Sequence, residues 1–408
     1  MTRRAAPLGV ALVGAGFMGG RHLLGYAALK AAGYDRITMA AIVDINPDTA
    51  AARALEVEQL LGNRPAVYTR LEDAFADAAV EAVDIVTDPR THHTIAAQAF
   101  DAGRHVICEK PLALTVSTGR SMVEAAERAG LVLATAENYR RGGSNRLAKA
   151  VIDSGVLGQL FLFREVRVGG DDGVIISPWR HMKRSGSIGL DMPIHYADII
   201  EYLLGPVQTV WGRGFIAEPE RIPSGGGTPI VADGEDSLIV AMRTESGVDV
   251  QLAYVPSGRG PVYGERVVHG RNGSLVIPAD RTDGDVVLHL ADGTRRGAEI
   301  TDLLGAAFEL DPVTRAVLGE DGTGGKGAPW AGVDAGHLAI ELADFADAVL
   351  DGRRPEVDGM GGLRALAIVH AAFESGVLDR AVSVDDVLEG SLHSYQDDID
   401  AQFTEVAS

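Results

Sequence analysis

The sequence predicts an α/β protein of two domains, the first of which is built on a doubly wound parallel sheet. From residue 8 to about 137, short apolar runs alternate with alanine-rich segments that are apolar at helical spacing, as in parallel sheets covered by helices. After about residue 150 the apolar runs are longer and lack intervening helices, which indicates a mixed or antiparallel sheet. The length of 408 residues also exceeds what one hydrophobic core usually serves.

The first domain, residues 1–137, is predicted to alternate strands with helices. The candidate strands are Leu8–Val13, Thr38–Val43, a weaker one near Val67, Val83–Thr87, His105–Cys108 and Leu131–Thr135. The candidate helices are a segment that runs toward Ala32, then Pro47–Leu61, His92–Ala102 and Ser117–Ala129. Each helix can cover a face of the sheet, because its apolar residues recur at a period of three to four.

The second domain, residues 138–408, is predicted to carry the longer strands and two late helices. The candidate strands are Leu160–Val168, Val207–Phe215, Ser237–Met242, Val248–Tyr254 and Glu265–His269. Segments rich in Gly, Pro and Ser predict loops at Glu218–Gly234 and Gly319–Gly332. Helices follow near His337–Leu350 and Gly361–Ser375, and we expect the helix near 361–375 to pack back on the first domain.

The composition excludes several classes of partner. A formal net charge of −20 argues against a broad face that binds nucleic acid. No apolar run reaches the ~18 residues that a membrane span needs. The single cysteine, Cys108, allows no intramolecular disulfide, and we interpret it as a small buried hydrophobe rather than a nucleophile.

The first residues resemble a secretory signal, because Arg3 and Arg4 precede the apolar stretch Ala5–Gly16. The competing interpretation takes Leu8–Val13 as the first strand of the fold. Cleavage near Gly16 would remove that strand and break the glycine motif that follows it. We therefore expect a retained N-terminus and a cytoplasmic protein.

Gly14, Gly16 and Gly19 form a G-x-G-x-x-G motif between the first strand and the first helix. The first glycine permits a tight turn, the second lets a pyrophosphate approach, and the third lets helix and strand pack closely. The strand–turn–helix context therefore predicts a Rossmann dinucleotide-binding domain, in which Phe17 and Met18 also contact the cofactor.

Asp44 ends the second strand and predicts NAD rather than NADP. A carboxylate at this position accepts hydrogen bonds from the ribose hydroxyls and repels a 2′-phosphate. Asp44 follows Gly19 by 25 residues, slightly more than usual, which a longer first helix and loop explain. The alternative is an Asp that caps the next turn.

Two further segments suggest catalysis. Glu109, Lys110 and Pro111 follow a strand at the sheet edge where ligands bind in open α/β sheets, and a lysine there can stabilise developing alkoxide charge. A simple turn is the alternative. Asp191 and His195 are spaced as i and i+4 at the start of an apolar helix, which suits a base that removes a hydroxyl proton. The alternative there is a helix cap and a half-buried histidine.

Together these motifs resemble the glucose–fructose oxidoreductase / inositol dehydrogenase / rhizopine catabolism (Gfo/Idh/MocA) family, from Gly14 through the Asp191–His195 helix. The likeness weakens across the Gly-rich C-terminal loops. The resemblance implies a Rossmann domain plus a C-terminal α/β domain with a large open, mostly antiparallel sheet, through which members commonly form homo-oligomers. It also implies a catalytic Lys110, Asp191 and acid/base His195.

The resemblance extends to residues around the expected site. It implies that Thr87, His92, Glu109 and Lys110 help to bind the cofactor. It also implies a homo-oligomer, a dimer or a tetramer, and a substrate site that contains Lys110, Asp191 and His195. By position and polarity, we expect four further residues to line the substrate pocket: Arg141, Trp179, Arg180 and Tyr196. Two segments depart from the family pattern. The usual Thr-Pro-Asn is Thr87-Asp88-Pro89 here, and the glycine cluster of Ser185–Gly189 is loosened.

The implied function is NAD-dependent oxidation of a secondary hydroxyl in a sugar, sugar derivative or cyclitol. Two alternatives stay open: a glycoside-acting enzyme that recycles bound NAD through a keto intermediate, and a non-catalytic NAD-binding regulator. With one cysteine and no clustered histidines, we predict no metal site.

Overall fold

The protein, seen in a computed structural model, is described over residues 6–170, 177–222, 227–282, 284–322 and 327–405. It divides into two units. The first unit comprises Met1–Ala113, Thr118–Gly143 and Leu310–Gly362, and the second comprises Leu114–Ser117, Ser144–Glu309 and Leu363–Ser408.

Strands and helices alternate at first, and strands predominate later. The strands are β1 (Leu8–Val13), β2 (Ile37–Val43), β3 (Ala66–Tyr68), β4 (Ala82–Ile85), β5 (His105–Glu109), β6 (Leu133–Ala136), β7 (Leu160–Gly170), β8 (Val207–Phe215), β9 (Glu220–Arg221), β10 (Ile230–Val231), β11 (Ser237–Thr244), β12 (Asp249–Gly270), β13 (Gly273–Val276), β14 (Val287–Leu290), β15 (Gly293–Arg296) and β16 (Val382–Ser383). The α-helices are α1 (Phe17–Ala31), α2 (Pro47–Leu61), α3 (Leu71–Ala76), α4 (His92–Asp101), α5 (Val116–Ala129), α6 (Gly143–Asp153), α7 (Ile188–Asp191), α8 (Pro193–Leu204), α9 (Ala298–Leu304), α10 (Pro312–Leu318), α11 (Trp330–Asp351), α12 (Gly359–Leu378), α13 (Val384–Leu388) and α14 (Asp397–Glu405).

The first unit contains a six-stranded parallel sheet in the order β3-β2-β1-β4-β5-β6. The predicted doubly wound sheet is confirmed, with strand ends shifted by one or two residues. The strand order reverses between β1 and β4. In open α/β sheets a ligand crevice lies outside the carboxyl ends of the strands at such a reversal.

Helix α11 belongs to the first unit although it lies far along the chain. Its buried side chains Leu342 and Phe345 share a hydrophobic core with Leu23 and Tyr26 of α1.

The division of the chain into units differs from two expectations of the sequence analysis. One is the single boundary at residue 137, and the other is that the helix near 361–375 packs on the first domain. The segment that returns to the first unit is Leu310–Gly362, and most of α12 belongs to the second unit. The apolar face of α1 is buried against α11.

The second unit contains a large sheet in the order β15-β14-β13-β12-β11-β8-β16, with β7 paired to β12. Strand β12 passes β7 twice. The register runs parallel between residues 249–255 and 162–168, and antiparallel between 263–269 and 168–162. The other pairs in this sheet are antiparallel. The predicted mostly antiparallel sheet is therefore confirmed. The two candidate strands at 248–254 and 265–269 correspond to two segments of β12, 249–255 and 263–269, which run in opposite directions along β7.

One face of this sheet is covered and the other is open. Along β11, Leu238, Val240 and Met242 are buried, whereas the intervening Ile239 is 50% exposed. On the covered face, Tyr196 of α8 contacts the ring of Tyr254 of β12 at 5.8 Å. Alternation along the strand thus separates a core face from an apolar face in solvent.

The two predicted loops contain short regular elements. The segment Glu218–Gly234 includes the β9–β10 pair, and its residues 223–226 lie outside the described residues. Within Gly319–Gly332, residues 323–326 likewise lie outside them, and α11 begins at Trp330. Across the described ranges, no helix has the length and apolarity needed to cross a membrane.

Candidate active site

The glycine turn after β1 has the geometry that the motif predicts. Gly14 has a φ of +102°, and its N–H donates to the carbonyl of Val43 at 2.9 Å. A Cβ added to Gly19 would lie 2.2 Å from the carbonyl oxygen of Gly14, whereas one added to Gly16 would meet no atom within 4 Å. The turn therefore leaves open space at Gly16, at the N-terminus of α1. A dinucleotide pyrophosphate fits this position, because the unpaired N–H groups of a helix start attract anions.

The residues after the turn differ in exposure. Phe17 is 81% exposed at the start of α1, whereas Met18 is half-buried against the core of the first unit. Both lie where the sequence predicts cofactor contacts, and those contacts remain a prediction.

Asp44 is hydrogen-bonded to the glycine turn. Its Oδ2 accepts from the backbone N–H of Ala15 at 2.8 Å, and its Oδ1 accepts from the N–H of Asn46 at 2.8 Å. The second bond is the turn-capping role that the sequence left open. The first fixes the carboxylate beside the turn, where the ribose of a bound dinucleotide is expected.

Arg53 was not singled out from the sequence, yet it also fixes this turn. From α2, its Nε and Nη2 donate to the carbonyl of Ala15 at 3.1 and 3.0 Å, and Nη2 also donates to the carbonyl of Gly16 at 3.0 Å. The nearest sequence signal is a basic residue on a helix that begins just after Asp44. Charge-assisted bonds of this kind hold a loop firmly.

His92 connects the segments that follow β4 and β5. It is fully buried, with Nδ1 3.0 Å from the carbonyl oxygen of Pro111 and Nε2 3.2 Å from that of Thr87. Burial lowers the pKa of His92, so the neutral ring donates to one carbonyl at a time. The Thr87 hydroxyl lies 2.8 Å from that of Thr91. Both predicted cofactor residues thus lie in one hydrogen-bonded loop cluster.

Glu109 is buried and hydrogen-bonded to a histidine that the sequence analysis missed. Its Oε1 lies 3.0 Å from Nε2 of His22, whose Nδ1 lies 2.9 Å from Oδ2 of Asp84. Burial alone would raise the pKa of Glu109, but the hydrogen bond and charge of His22, followed by the charge of Lys110, lower it to about 2. The available signal was a polar residue inside each of two apolar segments, α1 and β4.

Glu137 is a second buried acid in the first unit that the sequence analysis did not single out. Burial raises the pKa of Glu137 to about 7, although the charge of Lys110 opposes the shift. Its Oε1 accepts from the N–H of Tyr139 at 3.3 Å. Because Glu137 interacts electrostatically with Lys110, the charge of the predicted catalytic lysine affects the protonation of this buried acid.

Arg141 is placed in buried ion pairs of the first unit. It is 2% exposed, and its guanidinium donates to Asp344 at 3.0 Å and to Glu356 at 2.5 Å. The bonds hold the Tyr139–Arg141 turn against acidic side chains of α11 and the segment that follows it. The Arg141 guanidinium therefore forms ion pairs with side chains of its own unit.

In the second unit, Asp191 and His195 lie on two short helices joined at Met192. Asp191 ends α7, His195 lies in the first turn of α8, and both side chains are buried. Nε of Arg180 donates to Oδ2 of Asp191 at 2.8 Å, and the same guanidinium lies 4.2 Å from the ring centre of Trp179. Three of the predicted residues are thus brought together by one ion pair and one cation–π contact.

Tyr196 and the preceding glycine segment serve packing. Tyr196 is 4% exposed and contacts the covered face of the sheet. Gly186 has a φ of +83°, and a Cβ on Gly189 would lie 2.6 Å from the carbonyl oxygen of Glu235. The loosened cluster Ser185–Gly189 therefore keeps glycine where the backbone requires it.

The first unit has an open glycine turn at the strand reversal of its parallel sheet, and the second unit is built on a mostly antiparallel sheet. These two features are typical of a dinucleotide-binding oxidoreductase with two units. Comparison with known proteins agrees. Residues 8–137 match the oxidoreductase family with an NAD-binding Rossmann fold, and residues 145–276 match the GFO/IDH/MocA C-terminal domain. The chain therefore belongs to the Gfo/Idh/MocA oxidoreductase family.

Several named relatives span nearly the whole chain. Levoglucosan dehydrogenase of Pseudarthrobacter phenanthrenivorans is 30% identical over 92% of this chain and 98% of the relative. Myo-inositol 2-dehydrogenase of Thermotoga maritima is 27% identical over 87% of this chain and 93% of the relative. A solved structure of levoglucosan dehydrogenase in complex with NADH is 26% identical, has a TM-score of 0.75, and covers 93% of this chain and 99% of that chain.

These comparisons establish the class of enzyme and its cofactor. The protein is an NAD-dependent oxidoreductase, as the sequence predicts. Its relatives include dehydrogenases named for a sugar derivative, a sugar and a cyclitol. The roles of the individual side chains and the substrate are proposals.

Proposed function

We propose that this protein oxidises a secondary hydroxyl group of a sugar, sugar derivative or cyclitol, with NAD as the acceptor. The observation that carries this proposal is the buried pair Asp191 and His195, whose acid is held by Arg180 at 2.8 Å. A buried histidine close in sequence to an anchored carboxylate suits proton transfer from an alcohol. The names of the relatives support the substrate class.

Each proposed catalytic residue has a separate task. His195 accepts the hydroxyl proton, Asp191 orients the imidazole, and Lys110 stabilises negative charge on the substrate oxygen. NAD, when bound, accepts the hydride that leaves the carbon. The turn of Gly14, Gly16 and Gly19 would hold its pyrophosphate, and Asp44 its ribose hydroxyls.

The remaining predicted residues divide by burial. Trp179 and Arg180 are partly exposed, and we retain them as lining of a polyol pocket. Arg141 and Tyr196 are buried in contacts within their own units, so we assign them supporting roles. We assign Thr87, His92 and Glu109 to the group of residues near the carboxyl ends of β4 and β5 that holds the cofactor.

The test is a screen for NADH release. Levoglucosan, myo-inositol, D-apiose and panels of aldoses, deoxy sugars and glycosides are incubated with enzyme and NAD, and absorbance is followed. At least one polyol should yield NADH. His195→Asn and Lys110→Ala should each lower turnover by about a hundredfold or more while NADH still binds in a fluorescence titration. The exposed His289 of β14 offers a control, and His289→Asn should keep native turnover.

Other outcomes identify other functions. Conversion of a glycoside without net NADH release would indicate internal recycling of bound NAD. NADH binding with no turnover on the whole panel would indicate a regulatory protein. Near-native turnover in Lys110→Ala would overturn the assigned role of the lysine.

We further propose a cytoplasmic homo-oligomer. The single cysteine, Cys108, is a buried free thiol, which suits a reducing compartment. The open face of the second-unit sheet carries exposed Trp211, Ile239 and Tyr263. Apolar residues grouped on one sheet face favour association with another copy.

A further inference from the structure

A cluster of ionisable side chains lies in the core of the first unit, next to the segment that contains Lys110. The His22 ring is fully buried, and each ring nitrogen faces one carboxylate: Nδ1 is 2.9 Å from Asp84 and Nε2 is 3.0 Å from Glu109. A neutral imidazole has one N–H and can donate to only one of them. With both protons, the ring donates to both carboxylates.

The charges around the cluster favour this doubly protonated ring. Burial alone would lower the pKa of His22, but Asp84 and Glu109 raise it well above its ordinary value. The same interaction holds the pKa of Glu109 at about 2, against the effect of its burial. Other titratable groups also act on this cluster: Arg21, Tyr26, His92, Cys108, Lys110, Glu137 and Glu341.

The two carboxylates lie at opposite nitrogens of one ring, so the three groups have no common point at which a metal ion could bind all of them. Asp84 also accepts from the hydroxyl of Tyr26 at 3.1 Å. The arrangement connects α1, β4 and β5 through one ring. Helix α1 is the helix whose N-terminus is open toward a pyrophosphate, and β5 is the strand that Lys110 directly follows.

We infer that His22 is a positioning residue for Lys110: its charged ring holds the Glu109 carboxylate ionised and fixed at the end of β5, beside the lysine. This inference rests on the proposed role of Lys110 in the reaction. Because Glu109 precedes Lys110 directly, anchoring its side chain restrains the backbone from which the lysine extends. The ionised carboxylate also balances the ammonium charge, as the interaction between the two groups indicates.

The protonation of His22 can be measured without any substrate. In the native enzyme labelled with 15N-histidine, one buried ring should keep both N–H protons above the pH at which an ordinary histidine titrates, and Glu109→Gln should shift its resonances. His370, which is equally buried but has a pKa lowered to about 4, is a matched internal control that should stay neutral at about pH 6. A neutral His22 ring at about pH 7 would overturn the inference. Failure of the polyol screen would leave this measurement intact.

Kinetics then distinguish positioning from a merely structural role. In His22→Asn, Glu109 loses the hydrogen bond and the charge of the imidazolium, which are the largest contributions that oppose its burial, so the pKa of Glu109 should rise. The variant should therefore acquire a new acid limb in its kcat profile, with kcat reduced about tenfold or more near pH 6 and recovering toward pH 9. The KM for the polyol should change less than kcat. His370→Asn should keep the native pH profile.

A double-mutant cycle tests the route through Glu109. Glu109→Gln should lower kcat at every pH, and the double variant His22→Asn/Glu109→Gln should be no slower than Glu109→Gln alone. Additive losses would show that His22 acts independently of Glu109. A native pH profile in folded His22→Asn would also contradict the inference. If His22→Asn does not fold, the resonance measurement on the native enzyme still decides the charge, and a native kcat in Glu109→Gln would overturn the positioning role.

Discussion

Gly16 and Gly19 differ, at the scale of single residues, in what a methyl group would meet. Gly19→Ala would bring a Cβ within 2.2 Å of the Gly14 carbonyl oxygen, so we expect a loss of about 1–3 kcal/mol in unfolding free energy. Gly16→Ala meets nothing in the chain, so its stability should stay within about 0.5 kcal/mol of native. Its NADH affinity should nevertheless fall about tenfold or more, because the methyl group occupies the space for the pyrophosphate. Urea unfolding and NADH titration of both variants test this, and native NADH affinity in Gly16→Ala would contradict the assigned site.

Glu137 makes a pH-dependent contribution to stability. Its pKa rises from an ordinary 4.5 to about 7 in the folded protein, so the folded state holds the proton more tightly. The associated stability is complete below about pH 4.5 and is lost as the pH rises through about 7, a change of about 3 kcal/mol. Glu137→Gln resembles the protonated acid. Its unfolding free energy relative to the native protein should therefore be higher at about pH 8 than at about pH 5. Urea unfolding at both pH values measures the difference, and a difference independent of pH would contradict the shift.

At the scale of elements, local sequence signals predict the first sheet well and the second less completely. Six apolar runs became β1–β6. Strands β1, β4, β5 and β6 are buried along nearly their whole length and therefore read as strands by themselves, whereas β3, the weaker candidate near Val67, is partly exposed. The short strands β13–β15 and the short helix α3 offered too few residues for a period to emerge. The two candidate strands at 248–254 and 265–269 correspond to the two passes of β12 along β7, but their pairing with β7 is a long-range contact that neither apolar run reveals by itself.

The predicted site shows the same limit. The glycine turn and the Asp191–His195 spacing are local, so the sequence reveals them directly. The contacts of His22 with Asp84 and Glu109 span 62 and 87 positions, and that of Arg141 with Asp344 spans 203. Only the tertiary fold brings such groups together, and no periodicity in one segment predicts them.

The packing of α11 on α1 yields a prediction for an element remote in sequence. Leu342 is fully buried in the shared core, so Leu342→Ala should destabilise the protein by about 2–5 kcal/mol. Because α1 follows the glycine turn, bound NADH should restore part of that loss by mass action. Leu55→Ala on α2 is a control, since Leu55 is 53% exposed and should change stability by less than about 0.5 kcal/mol. Thermal unfolding with and without NADH measures both effects, and equal stability of the two variants would refute the role of α11.

At the scale of the whole molecule, the open sheet face predicts self-association despite the net charge of −20. Trp211, Ile239 and Tyr263 are each at least half exposed on this face of the second unit. Exposed aromatic and aliphatic groups of this size are typical of interface centres. The charge keeps the remaining surface soluble, so association should be restricted to this face.

Ile239→Lys should convert the oligomer to a monomer. A closed symmetric interface would contain the substituted side chain from both copies, so two buried like charges should weaken association by about a hundredfold or more. Sedimentation velocity at micromolar protein concentration measures the species, and circular dichroism checks that β11 still forms. Leu55→Lys, at similar exposure on α2 of the first unit, is the matched control and should leave the oligomer intact. A native protein that is monomeric, or an Ile239→Lys variant that stays oligomeric, would show that this face is not the interface.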